Sequence, residues 1–259
     1  MSGKQITWNG GLQPEAIDIL AQDGGMIVSP TKVGYIIMTS DKAGLERKFE
    51  AKQRKRNKPG VVLCGSLEQL RSLAQLTPEI DQLYQRHWDE DILLGCILPW
   101  RDDALSSIPD DGSKELMMDG RQTSCFVIKF GKPGENIAKA LWDTHGKFSF
   151  ASSANPSGQG NRGLVEGIGE RIEARADLII EANAYVKSIQ PNDANKVRYE
   201  QGVMVSMVDS EGRLIPQQNG ERKITPCPVL IRKGLDVDKI MALLSEIFPS
   251  WDYRHGDYY

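Results

Sequence analysis

Two short segments hold residue types that can manage an anion. The first spans 47–58, where seven of twelve residues are Lys or Arg: Arg47, Lys48, Lys52, Arg54, Lys55, Arg56 and Lys58. If it is helical, Leu45 and Phe49 mark a buried stripe, because residues four apart share a face. At about 3.6 residues per turn, Lys52 and Arg56 extend that same stripe. Cations where apolar groups are expected point to a cleft that holds an anion such as a polyphosphate. Arg54 points away from that cleft in a regular helix, so it joins only if the helix ends or unwinds near 52–54. A solvated helix face is the plainer alternative.

The second segment is the loop SSANPSG at 152–158. Ser152, Ser153, Asn155, Ser157 and Gly158 offer hydroxyls, an amide and a permissive backbone at the end of a strand-like run. Such a loop can present several donors to phosphate oxygens or to a carboxylate. Asn-Pro and Ser-Gly also make ordinary turns, and the loop is neither a Walker loop nor a Rossmann fingerprint. A weaker signal is SPTKVGY at 29–35, where Thr31 offers a hydroxyl and Tyr35 a ring with a polar tip. Ser206 and Arg232 lie inside late apolar runs, where a polar group needs a partner or a ligand. His87, His145 and His255 stand in no nucleophile or metal spacing, so neither a hydrolytic triad nor a metal site is expected.

These segments need elements to place them. Proline, glycine and capping residues divide the chain into alternating helices and strands. A helix is expected after Pro14, ending at Gly24-Gly25. MIVSP and YIIMTS read as paired strands across a turn at 30–34. Ser40 or Asp41 can cap a helix through AGLERKFEAK, and Pro59-Gly60 stops it. VVLCG, ILLGCIL, SCFVIKF, FSFASS, DLIIEA, GVMVSMVD and CPVLIRKG read as further strands. SLEQLRSLAQL, PEIDQLYQRHW, NIAKALWDTHG, GIGERIEARA and VDKIMALLSEIF read as helices. The loop 101–123, the stretch 186–200 and the tail after 248 are expected to be irregular. This alternation predicts one α/β (α+β) domain over 12–248, a mixed twisted sheet with helices against it. A second domain starting near 186–200 is the alternative.

Bulk properties narrow the function. The chain has 259 residues, 40% apolar and 26% charged, with a formal net charge of −3. That balance argues against general nucleic-acid binding, so such a case rests on the 47–58 segment alone. Cys64, Cys96, Cys125 and Cys227 are scattered and suit reduced, buried thiols. The first residues lack the pattern of a signal peptide, and the apolar run at 92–98 is too short for a membrane span. A cytoplasmic protein is expected.

Taken in order, the segments resemble the YrdC family of threonylcarbamoyl-AMP synthases. SPTKVGY partly matches that family's Pro-Thr strand turn. Lys52-Gln53-Arg54 followed by Lys58-Pro59 matches its Lys-x-Arg and Lys-Pro. Ser153-Ala154-Asn155-Pro156-Ser157-Gly158 matches its Ser-x-Asn-x-Ser-Gly, while Ser206-Met207-Val208-Asp209 and Arg232-Lys233-Gly234 echo its last two strands. The match runs over about 30–240. The resemblance implies a mixed, twisted sheet with a large concave basic cavity. It implies an ATP-dependent nucleotidyltransferase that makes threonylcarbamoyl-adenylate and pyrophosphate from L-threonine, bicarbonate and ATP. That product serves tRNA modification, with tRNA or tRNA-modifying proteins as partners. It assigns Lys52 and Arg54 to catalysis. Lys52, Arg54, Lys58, Ser153, Asn155, Ser157 and Arg232 bind ATP with Mg²⁺, and Thr31, Tyr35 and Ser206 frame the amino acid. Three places depart from the pattern. Lys32 and Val33 replace an acidic residue and Thr, bringing the turn closer to the related YciO branch. Trp88-Asp89-Glu90-Asp91 replaces Trp-Pro-Gly-Pro, and Ile128 stands where Arg is usual, with Lys129 adjacent. These fall on the amino-acid side, so a paralogue that uses another amine is a second reading. A non-catalytic RNA or nucleotide module is a third, and a scaffold that has lost activity a fourth.

Overall fold

A computed structural model describes residues 4–53, 59–190 and 200–254. The strands among them are β1 (Lys4–Thr7), β2 (Met26–Thr31), β3 (Gly34–Thr39), β4 (Val61–Leu63), β5 (Leu94–Pro99), β6 (Thr123–Ile128), β7 (Phe150–Ser153), β8 (Leu178–Glu181), β9 (Met204–Ser206), β10 (Val229–Arg232) and β11 (Asp252–Tyr253). The helices are α1 (Pro14–Ala21), α2 (Lys42–Lys52), α3 (Leu67–Leu73), α4 (Pro78–Asp89), α5 (Asp102–Ser107), α6 (Lys114–Met117), α7 (Gly134–His145), α8 (Glu170–Glu173), α9 (Asn183–Ile189) and α10 (Val237–Ile247).

The strands form one mixed sheet in the order β1-β8-β2-β3-β7-β4-β6-β5-β9-β10-β11. After 186–200 the chain re-enters this sheet, with β9 parallel to β5, so the described residues make a single domain. Three stretches expected to be irregular are partly ordered. The loop 101–123 contains α5 and α6, and α9 runs to Ile189. The tail adds β11 beside β10. These elements are short and surface-lying, so they leave little apolar period in the sequence. Conversely, GIGERIEARA yields only the single turn of α8.

One sheet face packs on α2, α3, α4 and α10 through Leu45, Leu70, Leu83, Val62, Phe126 and Leu244. The opposite face is covered on one side by α1 and α7, through Leu20, Ile137 and Leu141. Helix cover stops there, and the remaining strip of that face is where the cavity lies.

Helix α2 is placed by its cap. The Asp41 carboxylate accepts from Gly44 N at 2.8 Å and from Gly24 N at 3.1 Å. One side chain thus closes the helix start and ties it to the turn before β2. Asp41→Ala is expected to lower stability by about 1–2 kcal/mol, read as a lower thermal midpoint. Asp41→Asn should restore much of it, because its side-chain oxygen still caps.

Candidate functional site

The cavity is a row of side chains laid across neighbouring strands. Arg232 pairs with Met204, Met204 with Gly95, Gly95 with Val127, and Val127 with Leu63. Directly paired residues share a sheet face, so the register alone brings Arg232 into line with Leu63. Val61, Ala151, Ile36 and Ser153 continue the same face. The resulting cavity has a volume of ≈ 330 Å³, within the usual range of ligand sites. Its floor is apolar, from Ile36, Val61, Leu63, Leu93, Val127, Phe130 and Met204. One rim is polar, from Ser153, Asn155, Gly158, Gly160 and Asn161, and Arg232 and Gln201 stand on another side.

Two backbone features make the row. Between Leu230 and Arg232 the β9–β10 register shifts by a bulge. A bulge re-aims side chains, and here it puts Arg232 rather than Ile231 opposite Met204. Arg232 Nε donates to Gly202 O at 2.9 Å, which fixes the guanidinium at the cavity edge. The second feature is Gly95 on β5. A Cβ there would stand 2.9 Å from Cys125 Sγ and 3.3 Å from Val127 Cγ2. Only glycine fits here without pushing Cys125 and the lining residue Val127 aside. Burial pushes the neighbouring Cys125 thiol up to about 12, against an opposing effect of Arg232, so it stays protonated.

The basic segment and the loop meet through Lys52. Helix α2 ends at Lys52, and Gln53 turns left-handed at φ 49°, as Arg54 requires if it is to join the site. Lys52 is nearly buried, and Lys48 with it. Lys52 Nζ donates to Ser153 O, to Ser153 Oγ at 3.3 Å and to Asn155 O at 3.2 Å. It therefore holds the SSANPSG loop from behind. Arg47 takes another course, pairing with Asp177 at 2.7 Å. Arg54, Lys55, Arg56 and Lys58 lie outside the described residues. Among the described residues, Arg232 is the cation lining the cavity, so the lining is mainly apolar rather than basic.

Asn155 is 5% exposed. Its Nδ2 donates to Pro156 O at 2.9 Å, which leaves Oδ1 as the acceptor still to be satisfied. That oxygen is buried without a partner, and such an orphan calls for a ligand donor. It suits a sugar hydroxyl or a cation-bound water rather than a phosphate oxygen, which is itself an acceptor. Ser153 lines the cavity beside it, and Ser157 is exposed on the loop just outside the lining.

The amino-acid side differs from the sequence expectation. Thr31 lines the cavity, but its hydroxyl donates to Gly34 O at 2.8 Å and accepts from Val33 N at 3.1 Å. It locks the β2–β3 turn. Tyr35 is not in the cavity. Alternation along β3 gives Ile36 to the cavity face and sends Tyr35 to the other. There its hydroxyl donates to Asn183 Oδ1 at 2.8 Å and accepts from Ala182 N at 2.9 Å. Ser206 is also outside the lining. It sits two residues past Met204 in the next row, paired with Ile97 and Val229. Ile128 stays in the core opposite Leu94, so β6 keeps its register and Lys129 follows it at φ 54°. The floor residues and Asn161 were missed by motif reading. Only Gly95 carried a signal, as a glycine inside an apolar strand run.

A metal ion bound with a nucleotide would find oxygen donors here in Asn155 Oδ1 and Ser153. Among the described residues no group of three or more His, Cys, Asp or Glu could hold one alone. No described helix is long and apolar enough to cross a membrane.

Gly95→Ala is expected to cost about 1–3 kcal/mol of stability by overpacking and to weaken any ligand of the cavity. Adding Cys125→Ala removes the clash with Sγ. The double variant should regain stability in a thermal melt yet keep the weakened binding in calorimetry.

The Sua5/YciO/YrdC family model, described as "Telomere recombination", matches residues 20–193. No curated protein matches the chain. Among solved structures, a hypothetical protein from Streptococcus mutans UA159 is 64% identical over 100% of both chains, with a TM-score of 0.94. Sua5 of P. abyssi, solved with L-threonine, is 20% identical with a TM-score of 0.66, over 97% of this chain and 62% of its own. E. coli YciO is 20% identical with a TM-score of 0.62, over 91% of this chain and 97% of its own. The paired motifs, the sheet that joins them and the family match agree: this chain belongs to the Sua5/YciO/YrdC family.

Proposed function

We propose that the chain is an ATP-dependent nucleotidyltransferase that converts an amino acid, bicarbonate and ATP into a carbamoyl-adenylate and pyrophosphate. L-Threonine is the first amine to test, since a P. abyssi Sua5 structure holds it. The carrying observation is that Lys52 binds the carbonyls of Ser153 and Asn155, joining the two family motifs at the edge of one cavity.

The chemistry asks little covalent work of the protein. The amine nitrogen attacks the bicarbonate carbon and water leaves, giving a carbamate. A carbamate oxygen then attacks the α-phosphorus, the bond to the β-phosphate bridge breaks, and pyrophosphate leaves. Positioning and charge neutralisation suffice for both steps. In this reading Asn155 Oδ1 accepts from a ribose hydroxyl, and Arg232 faces the phosphates across the row. Arg54 and Lys58, as the resemblance assigns, add charge to the same phosphates. Mg²⁺, when bound with ATP, offsets their remaining charge. The apolar floor excludes water that would hydrolyse the mixed anhydride. A tRNA adenosine, reached through partner proteins, is the acceptor we infer for the product.

The test is incubation with ATP, bicarbonate and single amino acids, with pyrophosphate and carbamoyl-adenylate measured. Product with threonine supports the full reading. Product only with another amine keeps the reaction class and removes threonine. No product with any amine overturns the enzyme reading. Lys52→Met should abolish product formation and weaken ATP binding by about tenfold or more, because loop carbonyls lose a buried donor.

A further inference from the structure

Lys32 and Asp91, two positions where this chain departs from the family pattern, meet in space with Lys129, the neighbour of a third. Lys32 Nζ lies 2.9 Å from Asp91 Oδ2 and donates to Asp91 O at 2.5 Å. Lys129 Nζ lies 3.1 Å from Asp91 Oδ1 and 4.5 Å over the Trp88 ring. Both lysine side chains are largely buried, at 8% and 15% exposure, whereas Asp91 is 66% exposed. The Asp91 carboxyl feels burial pushing it up, but hydrogen bonds from Lys32 and Lys129 outweigh this and hold it below the usual carboxylate range.

Each member sits beside a residue of the cavity lining. Lys32 lies between Thr31 and Val33, Asp91 two residues before Leu93, and Lys129 next to Phe130. The β2–β3 turn and the exit of β6 are also tied by Lys32 N to Phe130 O at 2.9 Å, and Gln190 Nε2, after α9, donates to Lys32 O at 2.9 Å. The three segments come from the β2–β3 turn, the end of α4 and the exit of β6. This ion triad joins all three through charged side chains, beside the apolar packing of Val33, Leu93 and Phe130.

We propose that Lys32, Asp91 and Lys129 form a specificity-determining strut that sets the spacing of the apolar wall Val33–Leu93–Phe130 and so limits the size of the amine that the cavity accepts. This rests on the reaction proposed above. The strut touches no reacting atom; its members are positioning residues. With Thr31 closed on its own turn and Tyr35 on the far face, this end of the cavity selects by shape.

Asp91→Asn is the informative change. It keeps the volume but loses the charge, and its NH₂ faces an ammonium. Asp91 is exposed, so the variant is expected to fold. The Michaelis constant for the amine should rise about tenfold, and leucine should gain about tenfold on threonine in kcat/KM. The constant for ATP should stay within about twofold, and Asp91→Glu should restore the wild-type pattern. In hydrogen exchange, the Lys32 amide should lose protection in Asp91→Asn. Amine and ATP constants rising together would show general loosening and overturn the proposal, as would neither moving. A wild-type protein inactive with every amine removes the reaction and the selectivity claim together. Unchanged Lys32 amide protection removes the strut itself.

Discussion

The site depends on one buried side-chain nitrogen. Lys52 lies where the stripe set by Leu45 and Phe49 would place an apolar residue, and it is 6% exposed. Burying a cationic group without partners costs several kcal/mol. Here the carbonyls of Ser153 and Asn155 supply the partners. The contact does two things at once: it satisfies the cation at the end of α2, and it holds the loop after β7 against that helix.

The sheet supplies the remainder. Because paired residues share a face, the position of each lining group follows from register rather than from its own motif. A single bulge in β10 exchanges Ile231 for Arg232 opposite Met204. A single glycine in β5 fits the row between Val127 and Met204. Shifting β10 or β6 by one residue would send Arg232 or Val127 to the other face. A site built this way has few charged residues of its own among those described. It relies on a dry floor, where each polar contact is stronger than in water.

The sequence made much of this legible and left specific parts hidden. The helix through AGLERKFEAK was legible, while its end at Lys52 was foreseen only as the condition for Arg54 to join the site. The pairing of β2 with β3 followed from two strand-like apolar runs across a turn, whereas β5 and β6 were legible as strands but not as partners. Ser153, Asn155 and Arg232 were marked by motif and proved to line one cavity. Tyr35 and Ser206 were marked by the same means and do not. A motif gives residue order, whereas facing is set by alternation and register, which depend on the partner strand. The Lys32–Asp91–Lys129 triad was hidden because Asp91 and Lys129 adopt left-handed backbone, at φ 54° each. Local propensity rarely foretells that at non-glycine residues. Two departures and the neighbour of a third, which look unrelated along the chain, are one electrostatic unit in space.

The most direct measurement is a crystal structure of the protein with a non-hydrolysable ATP analogue. The account predicts the nucleotide across the row from Asn155 to Arg232, with a ribose hydroxyl within hydrogen-bond distance of Asn155 Oδ1 and the phosphates toward Arg232. A nucleotide bound elsewhere, with the Gly95 floor left bare, would contradict it.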